Sequence, residues 1–166
     1  MKITNKEYQG LVAKICRDIA NQKWRPDYIV GVTRGGLLPA VMISHYFNIP
    51  MHTLNTGESN LWMAEDAFGH NVYDEMASGN GRKRILIVDD INDTGKTIND
   101  IMEDWQSGCF PRDPRWKDEI WNHNVKFAVV YDNVASKSKV TMDFCGEEIT
   151  KNKKESIVFP YENWWG

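Results

Sequence analysis

An α/β fold, a central parallel sheet with helices on both faces, is what this sequence predicts, and three observations predict it. Short apolar runs rich in β-branched residues recur at Tyr28–Val32, 84–89 and 125–131. Stretches with helical spacing of apolar residues alternate with them. Two of the runs pass directly into glycine-bearing polar loops that open the next helix, as in open α/β sheets, whose ligands bind beyond the carboxyl ends of the strands.

The elements follow in order. Thr4, Asn5, Lys6 and Glu7 read as a capping box, and Tyr8, Leu11, Val12, Ile15 and Ile19 then keep helical spacing, so the first helix is amphipathic. Tyr28–Val32 is a strand, 38–47 a helix and Met51–Leu54 a short strand, giving βαβ order. Residues 55–83 are polar, contain Gly and Asn, and are long for a structureless connection; they read as mobile or partly hairpin. A strand over 84–89 and a helix over 97–106 come next. Residues 107–124, with Pro111, Pro114, Trp116 and Trp121, interrupt the passage to the following strand, and the two tryptophans read as core or interface packing. The run 125–131 is another strand, with further strand candidates at 140–144 and 157–159.

At 166 residues without a linker or repeat, the chain is expected to form one domain over 1–166. Its net charge is −3 with both signs interspersed, so it offers neither a basic stripe for nucleic acid nor a polybasic membrane patch. No stretch approaches about 18 uninterrupted apolar residues, and the opening Met1 to Asn5 lacks an apolar secretory core. The expectation is a cytoplasmic protein acting on a small soluble substrate. Cys16, Cys109 and Cys145 are few, odd in number and widely spaced, which argues against a disulfide framework and a zinc site. His45, His52, His70 and His123 show no metal-ligand spacing and read as structural or exposed.

The densest chemistry lies in 85–97, where four apolar residues lead to Asp89 and Asp90, then Ile91 and Asn92, then Asp93, Thr94, Gly95, Lys96 and Thr97. A buried strand would end at the acid pair. The next five residues can form a tight loop opening a helix, where free backbone N–H groups and the positive helix end suit a phosphate. Gly95 permits positive φ and close approach. A nucleotide P-loop would need a glycine five positions before Gly95, where Asp90 stands, and a calcium loop starting at Asp90 would need Glu at its twelfth position, which is Ile101. An ordinary acidic turn is the remaining alternative.

Upstream, Tyr28–Val32 leads into Thr33, Arg34, Gly35, Gly36, Leu37, Leu38 and Pro39, which repeats the order of strand, glycine loop and helix start. Arg34 supplies a permanent cation, and adjacent glycines let N–H groups converge on an oxyanion. Pyrophosphate would fit such a loop; a plain tight turn with a solvated Arg34 is the alternative.

The 85–97 run resembles the phosphoribosyl-pyrophosphate (PRPP) signature of the type I phosphoribosyltransferases, and Thr33 to Gly36 looks like the pyrophosphate loop of their xanthine-guanine branch. The resemblance implies a type I phosphoribosyltransferase-like parallel sheet flanked by helices, with a flexible catalytic loop in 55–83 and a small C-terminal hood. In its terms Asp89 and Asp90 hold the ribose hydroxyls and magnesium, and Asp93, Thr94, Gly95, Lys96 and Thr97 hold the 5′-phosphate. Asp93 is also the candidate proton acceptor. Thr33, Arg34, Gly35 and Gly36 bind pyrophosphate across a cis bond at Thr33–Arg34, with Arg34 stabilising the leaving group. Trp62, Phe68 and Tyr73 would pack in the closed loop. A homodimer or homotetramer is the family habit.

At the base-binding end this sequence departs from the family pattern. Asn133 falls where purine enzymes place a lysine, and Ser156 stands near the position of the stacking aromatic. Asn133, Ile157, Phe159 and Tyr161 become the candidate base contacts, with Trp164 a further ring. The implied activity is magnesium-dependent transfer of phosphoribose from PRPP to guanine, xanthine or hypoxanthine in salvage. Transfer to a non-purine acceptor and noncatalytic PRPP sensing are the alternatives.

Overall fold

A computed structural model of the chain describes residues 1–69, 81–150 and 156–166. Helix α1, Asn5–Asn21, starts at the expected capping box: the Thr4 hydroxyl accepts from Glu7 N at 3.1 Å, and the Glu7 carboxylate accepts from Thr4 N at 2.8 Å. Strand β1, Tyr28–Val32, helix α2, Leu37–Phe47, and strand β2, Met51–Leu54, follow. Then come α3, Leu61–Phe68; β3, Ile85–Asn92; α4, Lys96–Gly108; a π-helical turn, Trp116–Ile120; β4, Val125–Asn133; and β5, Phe144–Ile149.

The five strands form one all-parallel sheet in the order β2-β1-β3-β4-β5. Strand alternation sends Val30, Ile85, Ile87, Val125 and Phe127 to one face, where α3, α4 and the π-helical turn cover them. Ile29, Leu86, Val88, Ala128 and Val130 go to the other, under α1 and α2. Both faces are therefore covered, as parallel sheets require.

Four expectations are corrected. The 55–83 stretch contains a helix: Met63, Ala64, Ala67 and Phe68 form a buried stripe, and Gly69 ends it at φ +80°. Phe68 is a core residue stacked 4.9 Å from Phe110, whereas Trp62 is half-exposed against His52 and Tyr28; Tyr73 and His70 lie outside the described residues. The 140–144 candidate is shifted, because the Asp143 carboxylate takes hydrogen bonds from Phe127 N and Asn122 Nδ2 and fixes the approach before β5 begins at Phe144. The 157–159 run makes only an isolated bridge, between Val158 and Lys2. Finally, β3 and β4 run past their predicted ends, because the ladder continues through Ile91 opposite Tyr131 and Asn92 opposite Asp132.

Trp116 and Trp121 are core residues, stacked on each other at 5.2 Å. No helix among the described residues is long and apolar enough to cross a membrane.

Candidate active site

The strand order reverses between β1 and β3: from β1 the chain steps outward to β2, and from β3 it steps the other way to β4 and β5. Connections leave this point in opposite directions, so a crevice opens beyond the carboxyl ends of β1 and β3. Both loops singled out in the sequence lie there. A cavity of about 280 Å³ is lined by Thr33 and Gly35 on one side and by the unbroken run 89–98 on the other. An adjoining cavity of about 530 Å³ is lined by Arg34, Gly35, Asp90, Tyr161, Glu162 and Trp165. Gly35 and Asp90 are common to both.

Alternation along β3 places Asp90 on the side of α2 and Asp89 on the side of α4. Asp89 is buried, and its Oδ1 accepts from Asp90 N at 2.8 Å. Burial first, and the neighbouring charge of Asp90 second, raise the Asp89 carboxyl to about 8. Asp90 Oδ1 accepts from Ile91 N at 2.7 Å, and its Oδ2 accepts from the Tyr161 hydroxyl at 3.0 Å.

The loop after β1 is shaped by two glycines. A Cβ on Gly35 would lie 2.1 Å from Asp90 Oδ2, and one on Gly36 would lie 2.3 Å from the Val88 carbonyl oxygen. The peptide bond Thr33–Arg34 is cis, as the resemblance implied. Thr33 Oγ1 donates to Asn55 Oδ1 at 2.6 Å, and the Arg34 side chain is exposed at the larger cavity.

The loop after β3 is held from behind. Gly95 has φ +92°, and a Cβ there would meet Ser138 N at 2.3 Å. Lys137 N donates to Thr94 O at 2.9 Å, and Asn99 Nδ2 donates to Lys137 O at 3.1 Å. Helix α4 opens at Lys96 behind an N-cap glycine; Lys96 N donates to Thr94 Oγ1 at 3.2 Å, and residues 94–98 of this opening line the smaller cavity. Lys96 is exposed and pairs with Asp100 at 2.6 Å.

The candidate base contacts divide. Tyr161 lines the larger cavity. Phe159 does not: it is buried between Tyr8 and Tyr131, in contact with Tyr161, because its apolar ring completes the α1 side of the core. Ile157 packs against the same core. Asn133 is buried, and its Nδ2 donates to Asp93 O at 3.0 Å and Asp93 Oδ1 at 3.2 Å while its Oδ1 accepts from Ala135 N at 3.1 Å. The amide therefore fixes the Asp93 turn from behind instead of presenting its edge to a ligand.

Sequence reasoning missed two features. Buried Asn92 donates to Asp132 at 2.9 Å and accepts from Ser136 Oγ at 3.1 Å, tying the two strand ends together; a polar residue two places past the acid pair was the available signal. Glu162 and Trp165 bring an acid and a ring to the larger cavity, and no spacing in the sequence points to them.

A family model described as "Phosphoribosyl transferase domain" matches residues 3–164. The xanthine-guanine phosphoribosyltransferase of Cereibacter sphaeroides is 36% identical over 81 residues, which are 47% of this chain and 46% of that protein. The orotate phosphoribosyltransferase of Bartonella quintana is 35% identical over 101 residues, 61% of this chain and 45% of that protein. The matched stretches thus span less than half the length of these relatives. Among solved structures, the xanthine-guanine-hypoxanthine phosphoribosyltransferase of Helicobacter pylori shares the fold, with a TM-score of 0.66 and 15% identity over 99% of this chain and 94% of that one.

Proposed function

The chain belongs to the phosphoribosyltransferase domain family, and we propose that it transfers the 5-phosphoribosyl group of PRPP to a purine base, guanine, xanthine or hypoxanthine, with release of pyrophosphate. The observation that carries this reading is the meeting of Asp90 and Gly35, which joins the acid pair and the glycine loop in one crevice. A ribose laid across that junction would reach the 5′-phosphate seat at 94–97 on one side and Arg34 on the other.

The roles follow from the side chains. Asp89 and Asp90 accept hydrogen bonds from the ribose hydroxyls, and the opening of α4, with Thr94 and Thr97, holds the 5′-phosphate through N–H and hydroxyl donors. Arg34 and the loop it belongs to offset the charge gathering on departing pyrophosphate. Asp93, steadied by Asn133, takes the proton from the incoming base.

Magnesium suits this donor set. No group of three or more His, Cys, Asp or Glu able to hold a metal occurs among the described residues, but magnesium bound with a phosphorylated substrate needs only one or two protein carboxylates. Asp89 and Asp90 would hold it, and its charge would offset the burial and the Asp90 repulsion that together raise Asp89. When bound it supplies charge neutralisation at the pyrophosphate oxygens.

Transfer to a non-purine acceptor is favoured by two observations: Asn133, at the expected position of the base-reading lysine, is committed to Asp93, and an orotate enzyme is among the relatives. Pyrophosphate release from PRPP and magnesium, with guanine, xanthine, hypoxanthine, adenine, uracil and orotate offered separately, tests both readings. Release with one of the first three supports purine transfer, release with uracil or orotate supports the second reading, and PRPP binding without release for any base counts against both.

A further inference from the structure

The C-terminal segment meets both halves of the crevice at the Tyr161 hydroxyl. It lies 3.0 Å from Asp90 Oδ2 and 3.3 Å from Gly35 O, so a single phenol bridges the acid pair and the glycine loop. We propose that Tyr161 is a positioning residue for the ribose: it fixes the plane of the Asp90 carboxylate so that the remaining lone pairs face the sugar hydroxyls. The inference rests on the phosphoribosyl reading above.

Lone-pair geometry favours positioning over obstruction. Each carboxylate oxygen can accept two hydrogen bonds. Asp90 Oδ1 uses one on Ile91 N and Oδ2 uses one on Tyr161, which leaves each oxygen able to accept again from a vicinal diol. Without the phenol, Asp90 would keep its bond to Ile91 N and its packing on Gly35 but lose the contact that fixes Oδ2.

The seat of Tyr161 is built to hold still. Its ring lies parallel to Phe159, 5.5 Å away at 5°, and edge-on to buried Tyr8 at 6.0 Å. Glu162 turns the segment by accepting from Phe159 N at 2.7 Å. Hydrogen bonds from Ile3 N to Val158 O at 3.0 Å and from Val158 N to Met1 O at 2.8 Å moor the segment just upstream. A loose tail could only compete with substrate for Asp90, whereas a moored one can orient it.

Tyr161→Phe removes the hydroxyl and keeps the ring contacts. Calorimetric titration of wild type and variant with magnesium–PRPP, ribose 5-phosphate and pyrophosphate tests the role, with thermal melting to confirm the fold. Affinity for PRPP and ribose 5-phosphate should fall about tenfold, on the scale of one hydrogen bond to a charged group. Pyrophosphate, which has no sugar hydroxyls, should bind within about twofold of wild type. Unchanged or tighter PRPP binding overturns the proposal, as does equal weakening of all three ligands, which would mark a general disturbance of the segment. Absence of PRPP binding in the wild type would remove the phosphoribosyl reading itself, and this inference with it.

Discussion

Gly35 and Asp90 touch without room for a methyl group between them, since a Cβ on Gly35 would sit 2.1 Å from one carboxylate oxygen and 2.4 Å from Cγ. The glycine is required by its neighbour's side chain and not by a left-handed backbone, because the contact is what closes the two loops into one site.

Gly35→Ala should therefore push Asp90 out of place. Overpacking of this kind costs about 1–3 kcal/mol, part of it in stability and part in ligand affinity. PRPP titration should show a loss of about tenfold or more, with melting lowered by only a few degrees. Wild-type affinity in the variant would show that the contact is dispensable.

Asp89 makes stability depend on pH. Its folded-state value of about 8 lies above that of an unfolded aspartate, roughly 3.9, so the native state binds a proton that the unfolded chain gives up. Its stabilising contribution is full below the unfolded value and is lost as pH rises toward 8. Asn cannot ionise and escapes that loss. In EDTA, the melting temperature of Asp89→Asn relative to wild type should rise between pH 5 and pH 8, and a flat difference would contradict burial as the cause.

Gly95 combines φ +92° with backbone 2.3 Å from any added Cβ. Gly95→Ala should cost about 2–4 kcal/mol in urea unfolding, from left-handed strain together with overpacking. Binding of inorganic phosphate should weaken in parallel, because the same backbone opens α4. A stable variant with intact phosphate binding would be incompatible with this geometry.

Asn133→Ala should act on turnover more than on PRPP. It leaves the Asp93 turn without two hydrogen bonds, at a cost of about 1–3 kcal/mol in stability. With the Asp93 carboxylate held less firmly toward the incoming base, kcat should fall by about tenfold or more while PRPP affinity changes little. A fall in PRPP affinity alone would place Asn133 in a different role.

Legibility from sequence followed the strength of local signals. The cluster of Asp89, Asp90, Asp93 and the glycine loop was readable because strand, acid and turn residues are consecutive, and a parallel sheet puts such junctions at one edge. Helix α3 was hidden because it is only eight residues long with just Glu65 and Asp66 polar, so no polar face sets off Met63, Ala64, Ala67 and Phe68, and its burial comes from α4 and the π-helical turn. Strand β5 was misplaced because an edge strand with exposed Glu147 and Glu148 lacks an apolar pattern. Asn133 was placed by its distance past the strand ending at Tyr131, which does not give the direction of its amide; in the fold that amide donates to Asp93. Tyr161 was placed in the right region for its ring, whereas its hydroxyl makes the contact.

The exposed end of the chain also gives the crevice a spectroscopic handle. Of seven tryptophans, Trp105, Trp116 and Trp121 are buried, while Trp164 and Trp165 are 78% and 72% exposed, and Trp165 borders the larger cavity. Indoles in water emit at longer wavelength than indoles in a core, so the red edge of the emission band belongs largely to Trp164 and Trp165, with a share from half-exposed Trp62. A ligand entering beside Arg34 would shield that edge and leave the blue side unchanged, giving an optical readout of occupancy without any label.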